Sequence, residues 1–140
     1  DWRDYGPAYA QAMVDLSQAL ARELSALGLL VFAADRGATQ SHQFAIEAAA
    51  FGGGQAASKT LRKAGFLACG IGLPLAEVPG DMNGLRIGTP ELVRRGVTPA
   101  DAPALAALIA EALRSNAPET IAPRTAALRQ KFTGLHYIRA

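Results

Sequence analysis

Hydrophobic residues recur at three- and four-residue steps through the first part of the chain. The stripe consists of Met13, Leu16, Leu20, Leu24 and Leu27. This spacing places all five side chains on one face of an α-helix. Gly6-Pro7 supplies a helix start and Gly28 a stop, so the pattern predicts a helix over residues 7–27.

Short apolar runs bounded by turn residues predict four β-strands. The runs cover residues 29–33, 41–48, 66–69 and 84–88. In the second run, alternation assigns His42 to the same face as Phe44 and Ile46. Gly and Pro residues crowd the stretch from Gly70 to Asn83, which is therefore predicted to be an irregular loop.

Four shorter helices are predicted in the rest of the chain. They cover residues 55–63, a short segment that begins at Pro90 and ends at Gly96, residues 98–115 and residues 123–132. The clearest start is Thr98, because a capping hydroxyl and the carboxylate of Asp101 stand where a helix N-terminus favours them. Thr89 before Pro90 resembles a second cap of this kind.

Helices that alternate with short strands predict an α/β two-layer sandwich. Several connections are too short for the helical crossovers of a parallel sheet, so we expect a small mixed or antiparallel sheet with helices on one face. The length of 140 residues, with 50% hydrophobic and 19% charged residues, suits one globular domain over residues 1–140.

Charge and cysteine content limit the possible partners. The net charge of +2 is too small to predict a nucleic-acid partner, and no run approaches the roughly 20 apolar residues of a membrane helix. The single cysteine, Cys69, cannot form an internal disulfide and fits a reducing, cytoplasmic compartment. With two histidines and one cysteine, a zinc site is not expected.

Arg86 is the strongest candidate for binding chemistry. It lies between Gly84 and Gly88 in the middle of an apolar strand, where we expect it to be buried or half-buried. A guanidinium in such a place requires an anion, and its planar fork suits a carboxylate bound through two hydrogen bonds. From the residues alone, a ligand carboxylate and an Asp or Glu of the same domain are equally good partners.

Two further features have structural explanations that fit better than functional ones. Gly52-Gly53-Gly54 precedes a helix, but no nucleotide-binding glycine pattern is present, so a flexible connector is the better interpretation. His42 lies beside Ser41, yet the sequence shows neither the acidic partner nor the oxyanion site of a catalytic triad. We therefore interpret His42 as a hydrogen-bonded structural residue on this ground alone.

The segment Leu85-Arg86-Ile87-Gly88-Thr89-Pro90, followed by Arg95-Gly96, resembles a signature near the end of the serine hydroxymethyltransferase family. Other segments agree in order. The first helix resembles the one that leads into the family's small domain, and residues 37–42 resemble a diverged Gly-Gly-Thr-Asp-Asn-His turn. The resemblance covers nearly all 140 residues but only the C-terminal third of the family's usual length.

The resemblance implies a fold-type I pyridoxal-phosphate enzyme that is a homodimer or larger homo-oligomer. Such enzymes cleave the Cα–Cβ bond of serine and transfer the one-carbon unit to tetrahydrofolate, leaving glycine. Arg86 matches the arginine that binds the α-carboxylate of the amino-acid substrate. Arg95 matches a second arginine expected to brace the loop, Thr89 is expected to cap the next helix and fix the strand exit, and His42 becomes a secondary substrate-site candidate.

The resemblance also implies that the cofactor is bound by a large domain of the same polypeptide. Ser58-Lys59-Thr60-Leu61-Arg62 looks like the family's cofactor-lysine motif. It lacks the preceding Thr and His, however, and follows His42 where the family's lysine lies far upstream. We interpret Lys59 as an exposed helix residue, and we expect residues 1–140 alone to be inactive and to bind no cofactor.

Departures from the family pattern point to a divergent branch. Ile71 aligns with an Asn that contacts folate in the family, so folate dependence is expected to be weak or altered. Relatives that act on α-methylserine, and threonine aldolases or transaldolases, use the same cofactor chemistry, and Arg86 would serve all of them. A separate, non-catalytic binding domain of the same fold is the alternative from another functional class.

Overall fold

The computed structural model describes residues 1–139 and shows five α-helices and three β-strands in that range. The helices are α1 (Trp2–Ala26), α2 (Gly54–Lys63), α3 (Pro90–Arg94), α4 (Ala102–Arg114) and α5 (Ala122–Arg129). The strands are β1 (Gln43–Glu47), β2 (Cys69–Ile71) and β3 (Gly84–Gly88). Short 3₁₀ turns occur at Ala34–Arg36, Ala49–Phe51, Pro99–Asp101 and Pro118–Ile121.

The three strands form one antiparallel sheet in the order β1-β3-β2. Phe44 and Ile46 of β1, with Leu85 and Ile87 of β3, are buried in the core that the helices complete. On the other face of the sheet, the alternating residues of β1 are half-buried, Arg86 and Gly88 of β3 are exposed, and Gly84 is buried. The predicted α/β fold, a small antiparallel sheet with helices on one face, is confirmed.

The predicted first strand, residues 29–33, is wrong as a regular strand. Val31 forms an isolated bridge with Ile46, and the N–H of Phe32 donates to the carbonyl of Ala45 over 2.9 Å. Ala33 then adopts a left-handed conformation with φ of 56°, which turns the chain away from the sheet. The segment covers the outer edge of β1 without extending the sheet.

The third strand begins three residues later than predicted, at Cys69 instead of Phe66. The N–H of Phe66 donates to the carbonyl of Leu61 over 2.9 Å and so completes the end of α2. Gly65 makes this closure possible, because its φ of 91° suits the left-handed residue that ends many helices. Residues 66–68 therefore stay outside the sheet.

Helix α1 begins at Trp2 and not at residue 7, so Pro7 lies within the helix. The stop at Gly28 is confirmed: its φ is 86°, and the N–H of Leu29 donates to the carbonyl of Leu24 over 3.1 Å. Near the other end of the chain, the N–H of Thr98 donates to the Asp101 carboxylate over 2.8 Å, which confirms the predicted capping box.

One buried side chain organises the loop between β2 and β3. The Oδ1 of Asn83 accepts a hydrogen bond from the N–H of Leu73 over 2.7 Å, and its Nδ2 donates to the carbonyls of Leu73 and Leu75. Asn83 is only 7% exposed. The loop is irregular, as predicted, but these bonds fix its path into β3.

Candidate functional site

Arg86 occupies the centre of the central strand, on the sheet face opposite the core. Its Cα is paired with Ala45 of β1 on one side and with Cys69 of β2 on the other, and directly paired residues share a face. A Cβ at Gly84 would clash with Leu73 at 2.7 Å, whereas a Cβ at Gly88 would meet nothing closer than 3.7 Å. Open space therefore lies on the Gly88 side of the guanidinium.

The expectation that Arg86 is buried or half-buried is wrong for this chain. Its side chain is exposed. Water can therefore solvate the guanidinium, and the strand carries the charge without the desolvation cost of a buried position.

Arg86 has no ion-pair or hydrogen-bond partner among residues 1–139. The ion pairs in this range join Arg124 to Glu111 and Arg139 to Asp4, both far from Arg86 in sequence. The alternative of a structural ion pair within the domain is therefore not realised in the described part of the chain. The two parallel N–H groups of the fork remain available for an external carboxylate.

A cavity of about 810 Å³ opens beside Arg86. Its walls are mainly apolar and include Phe66, Leu92, Leu128 and Phe132. Its polar and charged lining groups include Arg86, His42, Arg95, Glu91, Asp101 and Arg129. Asp101 accepts from the N–H of Thr98 and Arg129 donates to the carbonyl of Phe132, whereas Arg86 and Arg95 are lining arginines that make no side-chain hydrogen bond within residues 1–139.

Arg95 and His42 line the same cavity as Arg86. Arg95 is half-buried and makes no side-chain hydrogen bond within residues 1–139, so it does not brace the loop through a polar contact. His42 is exposed and lies one residue before β1, so the strand begins two residues later than the predicted start at residue 41. The backbone carbonyl of His42, and not its imidazole, makes the structural contact, because it accepts a hydrogen bond from the N–H of Thr89 over 2.9 Å.

Thr89 fixes the exit of β3, but not by capping α3. Its side chain makes no bond to the N–H groups of that helix. Instead the hydroxyl is fully buried and donates to the carbonyl of Met13 in α1 over 2.8 Å, with the hydroxyl of Ser17 at 3.0 Å. Thr89 therefore stands at the cap position in the sequence, but its hydroxyl bonds to α1 and not to α3.

The triple glycine does not form a phosphate site, because a carboxylate of the same chain occupies the start of α2. Asp81 accepts hydrogen bonds from the N–H groups of Gln55 at 2.8 Å and Ala56 at 3.0 Å. These bonds, Gln55 first, hold the pKa of Asp81 below its ordinary value, and the nearby Lys59 adds to the effect. Gly54 is required for close packing: a Cβ there would lie 2.0 Å from the carbonyl oxygen of Gly84.

No lysine within residues 1–139 is placed to bind pyridoxal phosphate. Lys59, Lys63 and Lys131 are all exposed, and none lines the cavity beside Arg86. The described residues therefore do not fit that cofactor as its covalent binding site. Within residues 1–139, no group of three or more His, Cys, Asp or Glu side chains is arranged to hold a metal ion. None of the helices in this range is long and apolar enough to cross a membrane.

Sequence reasoning missed Asp81, Asn83 and Ser17. Asp81 is 26 positions beyond the N–H of Gln55, so no local capping pattern reveals it. Ser17 stands among apolar residues of α1, and that is the one signal available: a polar residue on the buried face needs a partner. The sequence does not indicate that the partner is Thr89.

The chain matches proteins that act on hydroxy amino acids. It is 59% identical over 138 residues to an alpha-methylserine aldolase from Variovorax paradoxus, covering 99% of this chain and 31% of that protein. It is 34% identical over 142 residues to a serine hydroxymethyltransferase from Thermoplasma acidophilum, covering 96% and 32% respectively. No family model matches the chain.

The crystal structure of an L-threonine transaldolase from Pseudomonas fluorescens superposes on this fold with a TM-score of 0.75 at 29% identity, covering 91% of this chain and 29% of that one. The chain thus spans about a third of the length of the curated relatives it matches. These matches confirm the resemblance to the serine hydroxymethyltransferase family and the fold of the C-terminal domain of fold-type I pyridoxal-phosphate enzymes.

Proposed function

We propose that this chain, with the fold and signature of the serine hydroxymethyltransferase family, is the small C-terminal domain of a longer pyridoxal-phosphate enzyme. In that enzyme Arg86 binds the α-carboxylate of the amino-acid substrate. The observation that carries this proposal is the free guanidinium of Arg86, which projects from the open sheet face beside a cavity with apolar walls. The length of the relatives supports a large domain that this chain lacks.

The substrate class that we propose is a β-hydroxy-α-amino acid with α-methylserine as its preferred member. Identity to alpha-methylserine aldolases is 55–59%, against 31–34% to serine hydroxymethyltransferases. Serine hydroxymethyl transfer is the second candidate. Because both substrates carry the same α-carboxylate, Arg86 has the same role in either reaction.

The reaction breaks the Cα–Cβ bond of the substrate. For α-methylserine the atoms balance as alanine and formaldehyde: the hydroxyl loses its proton, the β-carbon leaves as the aldehyde, and Cα takes up a proton. Pyridoxal phosphate, bound by the large domain, supplies the electron sink for the pair left on Cα. Arg86 holds the carboxylate in a fixed plane through two parallel hydrogen bonds, and so orients the bond that breaks.

Free aldehyde release requires no folate acceptor, so we propose that the preferred reaction is independent of tetrahydrofolate. The same expectation comes from Ile71, whose aliphatic side chain cannot replace the hydrogen bonds of an amide. Ile71 lies half-buried in β2, with its Cα paired to Gly84.

The test is turnover of α-methylserine, serine and threonine by the full-length protein, each with and without tetrahydrofolate. The proposal expects alanine and formaldehyde from α-methylserine in equal amounts and at the same rate in both conditions. Folate-dependent formation of glycine from serine as the dominant reaction would favour the second candidate. No turnover of any of the three would favour a non-catalytic binding domain of the same fold.

A further inference from the structure

Ser17 and Thr89 form a buried hydroxyl pair between the first long helix and the end of the central strand. Both side chains are fully buried, and their Oγ atoms are 3.0 Å apart although 72 positions separate them. Thr89 has one hydroxyl proton and two carbonyl acceptors, Met13 at 2.8 Å and His42 at 3.1 Å. Thr89 therefore donates to a carbonyl, of which Met13 is the nearer, and accepts a hydrogen bond from Ser17.

The main chain of Thr89 is bonded as well. Its N–H donates to the carbonyl of His42 over 2.9 Å, and its carbonyl accepts from the N–H of Val93 over 3.0 Å. One residue thus joins the end of β3 to the start of β1, the first turn of α3 and the middle of α1. Tyr9 adds a second link between α1 and α3, since its hydroxyl donates to the carbonyl of Pro90 over 2.9 Å.

The strand needs this anchor because it loses its second neighbour immediately after Arg86. Strand β2 pairs with β3 only from Gly84 to Arg86. In an antiparallel sheet, the N–H and C=O groups of successive residues point alternately toward one neighbouring strand and the other. Because the N–H of Thr89 points toward β1 and donates to His42, the N–H and C=O of Gly88 point toward the β2 side, where β2 has already ended. Thr89 is then the first point beyond Arg86 at which β3 is held by side-chain as well as main-chain bonds.

We propose that Thr89, supported by Ser17, is a positioning residue for the substrate arginine. The hydroxyl pair holds β3 against α1 and thereby fixes the approach of Arg86 to the substrate carboxylate. This inference rests on the proposed function of Arg86. Ser17 has no contact with the cavity, so its effect is transmitted entirely through Thr89.

The informative substitution is Thr89→Val in the full-length protein, because valine keeps the shape and loses the hydroxyl. The Ser17 hydroxyl can then bond to the Met13 carbonyl four residues earlier in its own helix, so no buried donor is left unpaired. Thr89→Ser keeps the hydroxyl and serves as the conservative variant. Thr60→Val is the matched control, since it removes a hydroxyl that donates to Ala56 over 3.2 Å in α2, outside the cavity lining.

We expect Thr89→Val to raise KM for α-methylserine about tenfold while kcat changes less than about threefold, since the loss is in carboxylate binding. Thr89→Ser should restore the KM of the unmodified protein, and Thr60→Val should leave KM unchanged. Ser17→Ala should raise KM about threefold, because Thr89 keeps its bond to Met13 but loses the donor that orients it.

An unchanged KM in Thr89→Val overturns the inference, as does an equal rise in Thr60→Val. If Thr89→Val does not fold, Ser17→Ala decides: a rise in KM supports the inference and an unchanged KM overturns it. Failure of the proposed function itself is recognised separately, because Arg86→Lys would then leave KM unchanged as well.

Discussion

Cys69 and Arg86 lie directly opposite each other on β2 and β3, on the sheet face that carries no core residue. Their Cα atoms are register partners, and both side chains line the same cavity. The half-buried thiol is thus an immediate neighbour of the guanidinium that we propose as the substrate ligand. Chemical modification of the Cys69 thiol can therefore report whether a ligand occupies the cavity beside Arg86, without a measurement of turnover.

Substitution of Arg86 should reduce activity more than any other change in this chain. Losing a charge-assisted bidentate contact removes about 3 kcal/mol, so Arg86→Ala in the full-length protein should lower kcat/KM by about a hundredfold. Arg86→Lys keeps the charge but loses the fork, and should not restore activity. Kinetics and Tm are measured on the same samples, with Arg62→Ala on the exposed surface of α2 as control. A large fall in Tm with unchanged activity per folded molecule contradicts the ligand role.

Amino-acid binding should protect Cys69 from alkylation. A substrate carboxylate held by Arg86 occupies the space next to the thiol, so modification by iodoacetamide should slow severalfold in saturating α-methylserine. The measurement is mass spectrometry of the peptide that contains Cys69. In Arg86→Ala the protection should disappear at the same amino-acid concentration. Equal protection in both proteins would mean that the ligand binds elsewhere.

The Asp81 carboxylate should stabilise the fold only while it is ionised. Its pKa is lowered in the folded protein, so its contribution is present above its ordinary pKa of 3.8 and is lost as the pH falls through the lowered value. Asp81→Asn should therefore lower Tm at neutral pH, and the difference should shrink below about pH 4. The control is Asp35→Asn, at an exposed position without side-chain hydrogen bonds. A difference that is constant with pH would assign the effect to shape rather than charge.

Gly54 should not tolerate any side chain. A Cβ there would lie 2.0 Å from the carbonyl oxygen of Gly84 and 2.9 Å from Gly70, so α2 and the sheet would have to separate. Gly54→Ala should cost at least about 3 kcal/mol of unfolding free energy. Gly72→Ala, with nothing within 4 Å, is the matched control and should change stability little. The comparison is made by denaturant unfolding, and similar costs for both would mean that the close packing is absent.

Lys59 should be dispensable for cofactor binding. It is exposed on α2 and does not line the cavity. Lys59→Ala should leave the visible absorbance of the full-length protein with pyridoxal phosphate unchanged. The isolated chain mixed with the cofactor should show no stoichiometric band. A band that disappears in Lys59→Ala would assign this lysine to the cofactor after all.

Local signals predicted the end of α1, the capping box before α4 and strand β3, whereas long-range contacts decided the rest. Gly28 and the Thr98–Asp101 pair act within a few residues, so their roles are legible in sequence. The segment 29–33 has the pattern of a strand, but the turn at Ala33 overrides it. Alternation cannot reveal that residues 66–68 are withdrawn from the sheet by the end of α2.

The candidate site was likewise predictable from sequence only in part. Arg86 was found from its place in an apolar strand and from the signature around it, but its exposure depends on the layer that faces it. Thr89 has the sequence of a helix cap, yet a buried hydroxyl bonds to whatever acceptor is nearest, and that acceptor belongs to a helix 76 positions earlier. Contacts of this separation leave no local pattern.

The strand order β1-β3-β2 imposes a sequence of events on folding. Strands β1 and β2 touch only through β3, which is synthesised after both, so neither has its sheet partner until Gly88 has left the ribosome. Helix α1 waits longer still, since it packs most extensively on α4. The nascent chain therefore carries α1 and two strands without their β3 partner until the second half is made, and this dependence on distant contacts favours slow folding.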